Sequence, residues 1–174
     1  DEGLIEPVLV GDPAHIRQLA EEIDWDLHSV RLLPAADEAQ SAEIACALVG
    51  AGEAGALMKG HLHTDVLLRA VLKREAGLRT ASRLSHVFHM TLPGSNKALS
   101  ITDAVINVQP TIIDKIHIAR NAIELMHALG YDLPRMAVLS GSEEVSRNMP
   151  SSQDAAELVK LAAIGALRGA CVEG

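Results

Sequence analysis

Ile5-Glu6-Pro7-Val8-Leu9-Val10, running on through Gly11-Asp12-Pro13-Ala14-His15-Ile16, decides the fold class. The first run is short and apolar and predicts a buried strand over residues 5–10. Asp12 is a natural helix N-cap, and Pro13 suits the first helical position, where its missing N–H would have no partner anyway. Ile16, Leu19, Ala20 and Ile23 then recur at i, i+3, i+4 and i+7, the period of a helix with one apolar face. A strand leading straight into such a helix is the β-α unit of a mostly parallel sheet.

Outward from that unit the alternation continues. Residues 30–33 predict a second strand, and 37–49 a helix with Ala42, Ala45, Cys46 and Val49 on one face. Residues 56–59 predict a third strand, followed by a helix from about 64 to 74, with Thr64 as its cap. The pattern then breaks. Residues 84–91 and 98–102 read as two strands around Leu92-Pro93-Gly94-Ser95-Asn96-Lys97, a strong turn signal, so an antiparallel hairpin is expected. A long helix over 111–129 follows, with Ile112, Ile116, Ala119, Ile123 and Met126 on one face and Gly130 as its stop. Residues 135–140 predict a strand. Met149-Pro150-Ser151-Ser152 then caps a helix carrying Ala155, Leu158, Val159 and Ala162, and 170–172 begin one more strand. The fold class is therefore α/β: a mostly parallel sheet with helical layers and one antiparallel hairpin.

Composition narrows the function. The chain has 174 residues, enough for one domain or a domain and part of another, and 48% of them are hydrophobic. Trp25, Phe88 and Tyr131 are the only aromatics, so the core must be built from Ala, Leu, Ile and Val. A formal charge of −8 argues against nucleic acid as a partner. Cys46 and Cys171 are far apart in apolar or helical surroundings, which predicts buried reduced thiols rather than a disulfide framework. No eighteen-residue apolar stretch and no basic-then-apolar leader is present, so a cytoplasmic protein is the default. The first residue is Asp1 and not methionine, which leaves a trimmed leader open.

Four polar clusters sit where strands end. Lys59-Gly60-His61-Leu62-His63-Thr64-Asp65 opens a helix, whose N-terminal N–H groups and dipole attract anions. A phosphate cradle using Lys59 and His63 and a plain helix cap are both open on spacing alone. An H-x-H pair without acidic or sulfur partners is weak evidence for a metal. The second cluster, from Leu78-Arg79-Thr80 to Arg83-Leu84-Ser85-His86, offers two arginine forks suited to phosphate, or else a solvated basic turn. Ser85 and His86 point to opposite faces of a strand and form no nucleophile-base dyad. Asp103 and Asn107 in Thr102-Asp103-Ala104-Val105-Ile106-Asn107 must be paired if buried, or serve a ligand. Ser140-Gly141-Ser142-Glu143-Glu144 is the fourth.

Read together, several of these runs resemble the phosphate acetyltransferase/phosphate butyryltransferase family. The resemblance starts in Ala56-Leu57-Met58-Lys59-Gly60-His61-Leu62-His63-Thr64-Asp65, Leu67-Leu68-Arg69-Ala70-Val71-Leu72 and Gly77-Leu78-Arg79-Thr80. It continues in order through Leu84-Ser85-His86-Val87-Phe88, Ile101-Thr102-Asp103-Ala104-Val105-Ile106-Asn107 with Pro110, Arg135-Met136-Ala137-Val138-Leu139-Ser140 and Met149-Pro150-Ser151-Ser152. The resemblance implies reversible acyl transfer between coenzyme A and inorganic phosphate. It implies no metal and no bound cofactor, with coenzyme A as a substrate. It further implies two α/β/α domains of isocitrate/isopropylmalate dehydrogenase-like fold, a homodimer, and in some relatives fusion to an enoyl-CoA hydratase domain. On that pattern residues 1–110 belong to a first, incomplete domain and 111–174 to the start of a second. The matching cleft residues are Lys59, His63, Thr64, Arg69, Arg79, Ser85, Asp103, Asn107 and Ser140. Lys59, Thr64 and Arg69 are expected on phosphate or acyl phosphate, and Ser85, Asp103 and Asn107 as shaping and hydrogen-bonding groups.

The chain departs from the pattern in two places. The serine and aspartate to which the family's transition-state stabilisation and thiol deprotonation are assigned fall beyond Gly174, so this chain alone is expected to be inactive. Gly141-Ser142-Glu143-Glu144-Val145-Ser146-Arg147-Asn148 carries extra charge, which puts phosphate binding by that loop in doubt. Two other classes remain open: a non-catalytic anion- or coenzyme A-binding module, and a dehydrogenase of the same broad fold. The chain carries no G-x-G-x-x-G fingerprint with a downstream acid.

Overall fold

A computed structural model of the chain describes residues 3–95 and 97–174. Asp1, Glu2 and Asn96 of the expected turn lie outside the described residues. The chain divides into two compact units, residues 1–81 and 82–174.

The first unit opens as its sequence demands. Strand β1 (Val8–Gly11) pairs in parallel with β2 (Arg31–Pro34), with Val8 opposite Arg31 and Gly11 opposite Pro34. β1 starts later than expected because Pro7 has no N–H to offer and β2 supplies only four partners. Helix α1 (Pro13–Glu22) is capped by Asp12, whose carboxylate accepts from the Ala14 N–H at 2.9 Å. Asp37 caps α2 (Glu38–Gly50) in the same way, through the Gln40 N–H at 2.8 Å.

Residues 56–59 form no strand. An extended segment needs a neighbour for its N–H and C=O groups, and none of the described strands lies beside it. Leu57 nevertheless packs, with Leu62, Val66 and Leu67, on the buried trio Ala42, Cys46 and Ala70. Helix α3 (Thr64–Val71) is shorter than expected. It gives way to a 3₁₀ turn at Arg74–Ala76, closed by Gly77 in the left-handed region.

In the second unit β3 (Phe88–Thr91) and β4 (Ala98–Ile101) make the expected hairpin, with Phe88 opposite Ile101 and Met90 opposite Leu99. These four apolar side chains share one face and remain substantially exposed. On the other face His89 Nδ1 lies 2.9 Å from Ser100 Oγ, and that hydroxyl lies 3.2 Å from Met126 Sδ on the next helix. That helix, α4 (Ile112–Ala128), begins with a capping box. The Thr111 hydroxyl accepts from the Asp114 N–H, and the Asp114 carboxylate accepts from the Thr111 N–H at 2.9 Å. β5 (Arg135–Ala137) pairs in parallel with β6 (Cys171–Glu173). Helix α5 (Pro150–Ala163) lies between them in sequence.

The core of this unit is Ala119, Ile123, Leu158 and Leu167, with Ile112, Ile116, Met136, Val138 and Val172 against it. Both cysteines are free. Cys46 is buried, and burial pushes its thiol up. Cys171, expected to be buried too, is exposed: it opens a three-residue strand in which only the middle residue, Val172, faces inward. Among the described residues no helix is long and apolar enough to cross a membrane.

Candidate active site

The Lys59 loop and α3 carry the candidate residues of the first unit. The N-cap of α3 is His63, not Thr64. His63 has extended backbone angles and makes no side-chain cap bond, while Thr64 is already the first helical residue. The sequence reading set the cap one residue late because threonine is the stronger capping type.

The N–H of the N-cap residue is itself bonded by a residue distant in sequence. Glu38, in the first turn of α2, accepts from the His63 N–H at 3.0 Å and faces His63 Nδ1 at 2.9 Å. Hydrogen bonds from the backbone and ring of His63 hold the Glu38 carboxyl below its ordinary value, and the bond to Glu38 raises His63. A carboxylate thus already sits where this helix terminus attracts an anion. Glu38 was missed because twenty-five residues separate it from His63. Its only sequence signal was its place just after the Asp37 cap.

Lys59 Nζ donates to the Leu62 carbonyl at 2.8 Å, folding the loop back on itself. Arg69 pairs with Asp65 one turn earlier on α3, and the pairing lowers Asp65. Both partners are well exposed, so the pair is weakly held and exchangeable. Arg79 is exposed in the segment after Gly77. A concavity of about 370 Å³ in this unit lies against Leu9, Arg17, Trp25 and Leu32, and none of the nine expected residues lines it.

In the second unit three expected residues belong to one continuous network. Asp103 is a polar hub. Its Oδ1 accepts from the N–H groups of His86 (3.2 Å) and Ile106 (3.3 Å), and its Oδ2 from the Asn107 N–H (3.0 Å) and the Asn107 side-chain amide. Burial pushes the Asp103 carboxyl up. The hydrogen bonds from the Asn107 amide and from the Ile106, His86 and Asn107 backbone outweigh it, and the net direction is down. Asn107 also donates to the Leu84 carbonyl at 3.0 Å and accepts from Arg83 Nε at 2.6 Å. Arg83 reaches on to Asp114 of the α4 capping box at 3.1 Å. Ser85 joins through Asn121 on α4, 2.9 Å away.

The Thr102–Asp103 peptide is cis. Ser140 stands apart from this network, bonding with Ser142 in its own loop. Arg83 belongs to the second polar cluster but not to the nine matching residues, and nothing in the sequence marks Asn121 within its helix. Among the described residues no group of three or more His, Cys, Asp or Glu side chains is placed to hold a metal ion.

Parallel strand pairs, a hairpin and polar loops at strand ends give the chain the fold of the phosphotransacylases. A branched-chain phosphotransacylase from Enterococcus faecalis V583 matches with a TM-score of 0.79 at 29% identity, over 98% of this chain and 68% of that one. The family model described as phosphate acetyl/butaryl transferase matches residues 35–174, and the chain belongs to that family. The phosphate acetyltransferase of Rhizobium meliloti is 43% identical over 172 residues, 99% of this chain and 54% of the relative. The phosphate butyryltransferase of Clostridium beijerinckii is 36% identical over 174 residues, 100% of this chain and 58% of the relative. The chain spans about half the length of these curated relatives. The resemblance read from the ordered motifs is thus borne out.

Proposed function

We propose that this protein is a phosphate acyltransferase, moving a short acyl group reversibly between coenzyme A and inorganic phosphate. One observation carries the reading: the family match over residues 35–174. In the direction of acyl-CoA formation, a base takes the proton of the coenzyme A thiol. The thiolate's electron pair then forms a C–S bond to the acyl carbon. The C–O bond to phosphate breaks, and phosphate leaves with that pair.

Lys59, Thr64 and Arg69 hold the phosphoryl oxygens in this proposal. Arg69 can trade its exposed Asp65 partner for a phosphate oxygen at small cost, because an ion pair between two exposed side chains is weakly held. His63 and Arg79 are the first unit's further cationic candidates. In the second unit, taken by itself, Asp103 and Asn107 frame Ser85, and Ser85 and Ser140 are hydroxyl candidates for the substrates. The base is none of these nine residues. Coenzyme A is a substrate in this scheme and no cofactor is resident. The protein works in the cytoplasm as a homodimer, in some arrangements joined to an enoyl-CoA hydratase domain.

The test is an assay of the protein as its gene encodes it, with acetyl-, propionyl- or butyryl-CoA and phosphate, following release of free thiol. Phosphate-dependent thiol release supports the reading, and its absence with all three removes it. A second reading is an anion-binding module without turnover, because Lys59, His63 and Arg69 all keep exposed side chains on α3 and the loop before it. Phosphate binding without thiol release would select it.

A further inference from the structure

Residues 83–86 are bonded one after another, and the partners dictate which way each amide faces. Asn121 Nδ2 lies 2.8 Å from the Arg83 carbonyl and 2.9 Å from Ser85 Oγ. A carbonyl only accepts, so the NH₂ end of Asn121 must be on that side, and its two hydrogens serve these two partners. Ser85 Oγ is therefore an acceptor in its bond with Asn121. The hydroxyl's own proton is left to donate elsewhere, and Ser85 Oγ has no other partner among the described residues.

The ground beneath Ser85 is fixed by the same logic. Asn107 Nδ2 donates to the Leu84 carbonyl at 3.0 Å, which turns its oxygen toward Arg83 Nε. His86 is held at both ends: its N–H by Asp103 and its carbonyl by the Thr102 hydroxyl at 2.6 Å.

We propose that Asn121 is a positioning residue that fixes the Ser85 hydroxyl as a directed donor to a phosphoryl oxygen of phosphate or acyl phosphate. The ligand's identity rests on the acyltransferase reading. A donor whose accepting side is already occupied stays aimed before the ligand arrives, and such preorganisation makes hydrogen bonds effective on developing or resident negative charge. Asn121 offers α4 little by itself, since asparagine is a poor residue for a helix interior.

The experiment is a double-mutant cycle in the protein as its gene encodes it, with Asn121→Ala, Ser85→Ala and the pair. Calorimetric Kd for inorganic phosphate is measured beside kcat and the phosphate KM. Asn121→Ala alone should raise Kd and KM for phosphate about tenfold, the worth of one well-placed hydrogen bond to a charged group, with kcat changed less. In the Ser85→Ala background the same change should have no more than about a twofold effect, because the donor being aimed is gone. Equal effects in the two backgrounds would overturn the proposal, since loss of the Arg83 carbonyl bond acts in both. If Asn121→Ala fails to fold by circular dichroism, Asn121→Ser carries the cycle.

Wild-type protein that binds phosphate without acyl transfer ends the acyltransferase reading, and the cycle is then decided on Kd alone. Wild-type protein that binds no inorganic phosphate overturns this inference as well.

Discussion

A carboxylate that accepts from both the backbone and the ring of one histidine ties the two titrations together. Glu38 is lowered and His63 raised. The His63 contribution to stability is complete below histidine's ordinary value and is lost as pH rises through its raised one. The Glu38 contribution is complete above glutamate's ordinary value and is lost as pH falls through its lowered one. The bridge is therefore strongest between the two ordinary values. Glu38→Gln should return His63 toward its ordinary value, which an NMR titration of the ring proton measures; an unmoved midpoint would refute the bridge. Asp103→Ala leaves several N–H groups in the 86–107 region without their acceptor. About 1–3 kcal/mol of stability should go, read by urea unfolding. At this scale the sequence marked Asp103 and Asn107 correctly as polar groups needing partners. It did not mark Asn121 or Glu38, whose partners lie thirty-six and twenty-five residues away.

Helices were more legible than strands, for a physical reason. A helix closes its hydrogen bonds within itself, so the Asp12 cap announced α1 locally and the periodic apolar faces announced α2 and α4. A strand exists only beside a partner, and residues 56–59 were apolar enough but have no strand next to them. The packing of α2 against the turn after α3 depends on one missing side chain. A Cβ on Gly50 would fall 2.1 Å from the Ala76 carbonyl oxygen, a backbone atom that cannot swing aside. Gly50→Ala should cost about 1–3 kcal/mol despite alanine's better helix propensity, and thermal unfolding would show it. A neutral or stabilising result would mean that Arg74–Ala76 moves freely.

At the scale of the whole chain, much apolar surface faces outward. Phe88, Met90, Leu99 and Ile101 line one hairpin face, and Met58, Val108 and Leu139 are almost fully exposed. The chain expressed alone should bind the dye ANS, and a fluorescence titration decides this. Leu167, 2% exposed within the second core, belongs to a loop whose Ala166 and Gly169 carbonyls accept from Arg120 and His127. Leu167→Ala should cost about 2–5 kcal/mol.

Each of the three strand pairs is made from strands of a single unit: β1 with β2 in the first, and β3 with β4 and β5 with β6 in the second. Among the described residues, none of these pairs joins one unit to the other. As the polypeptide emerges from the ribosome, β1 can find β2 once Pro34 is free, and the hairpin and last pair can follow in order of synthesis.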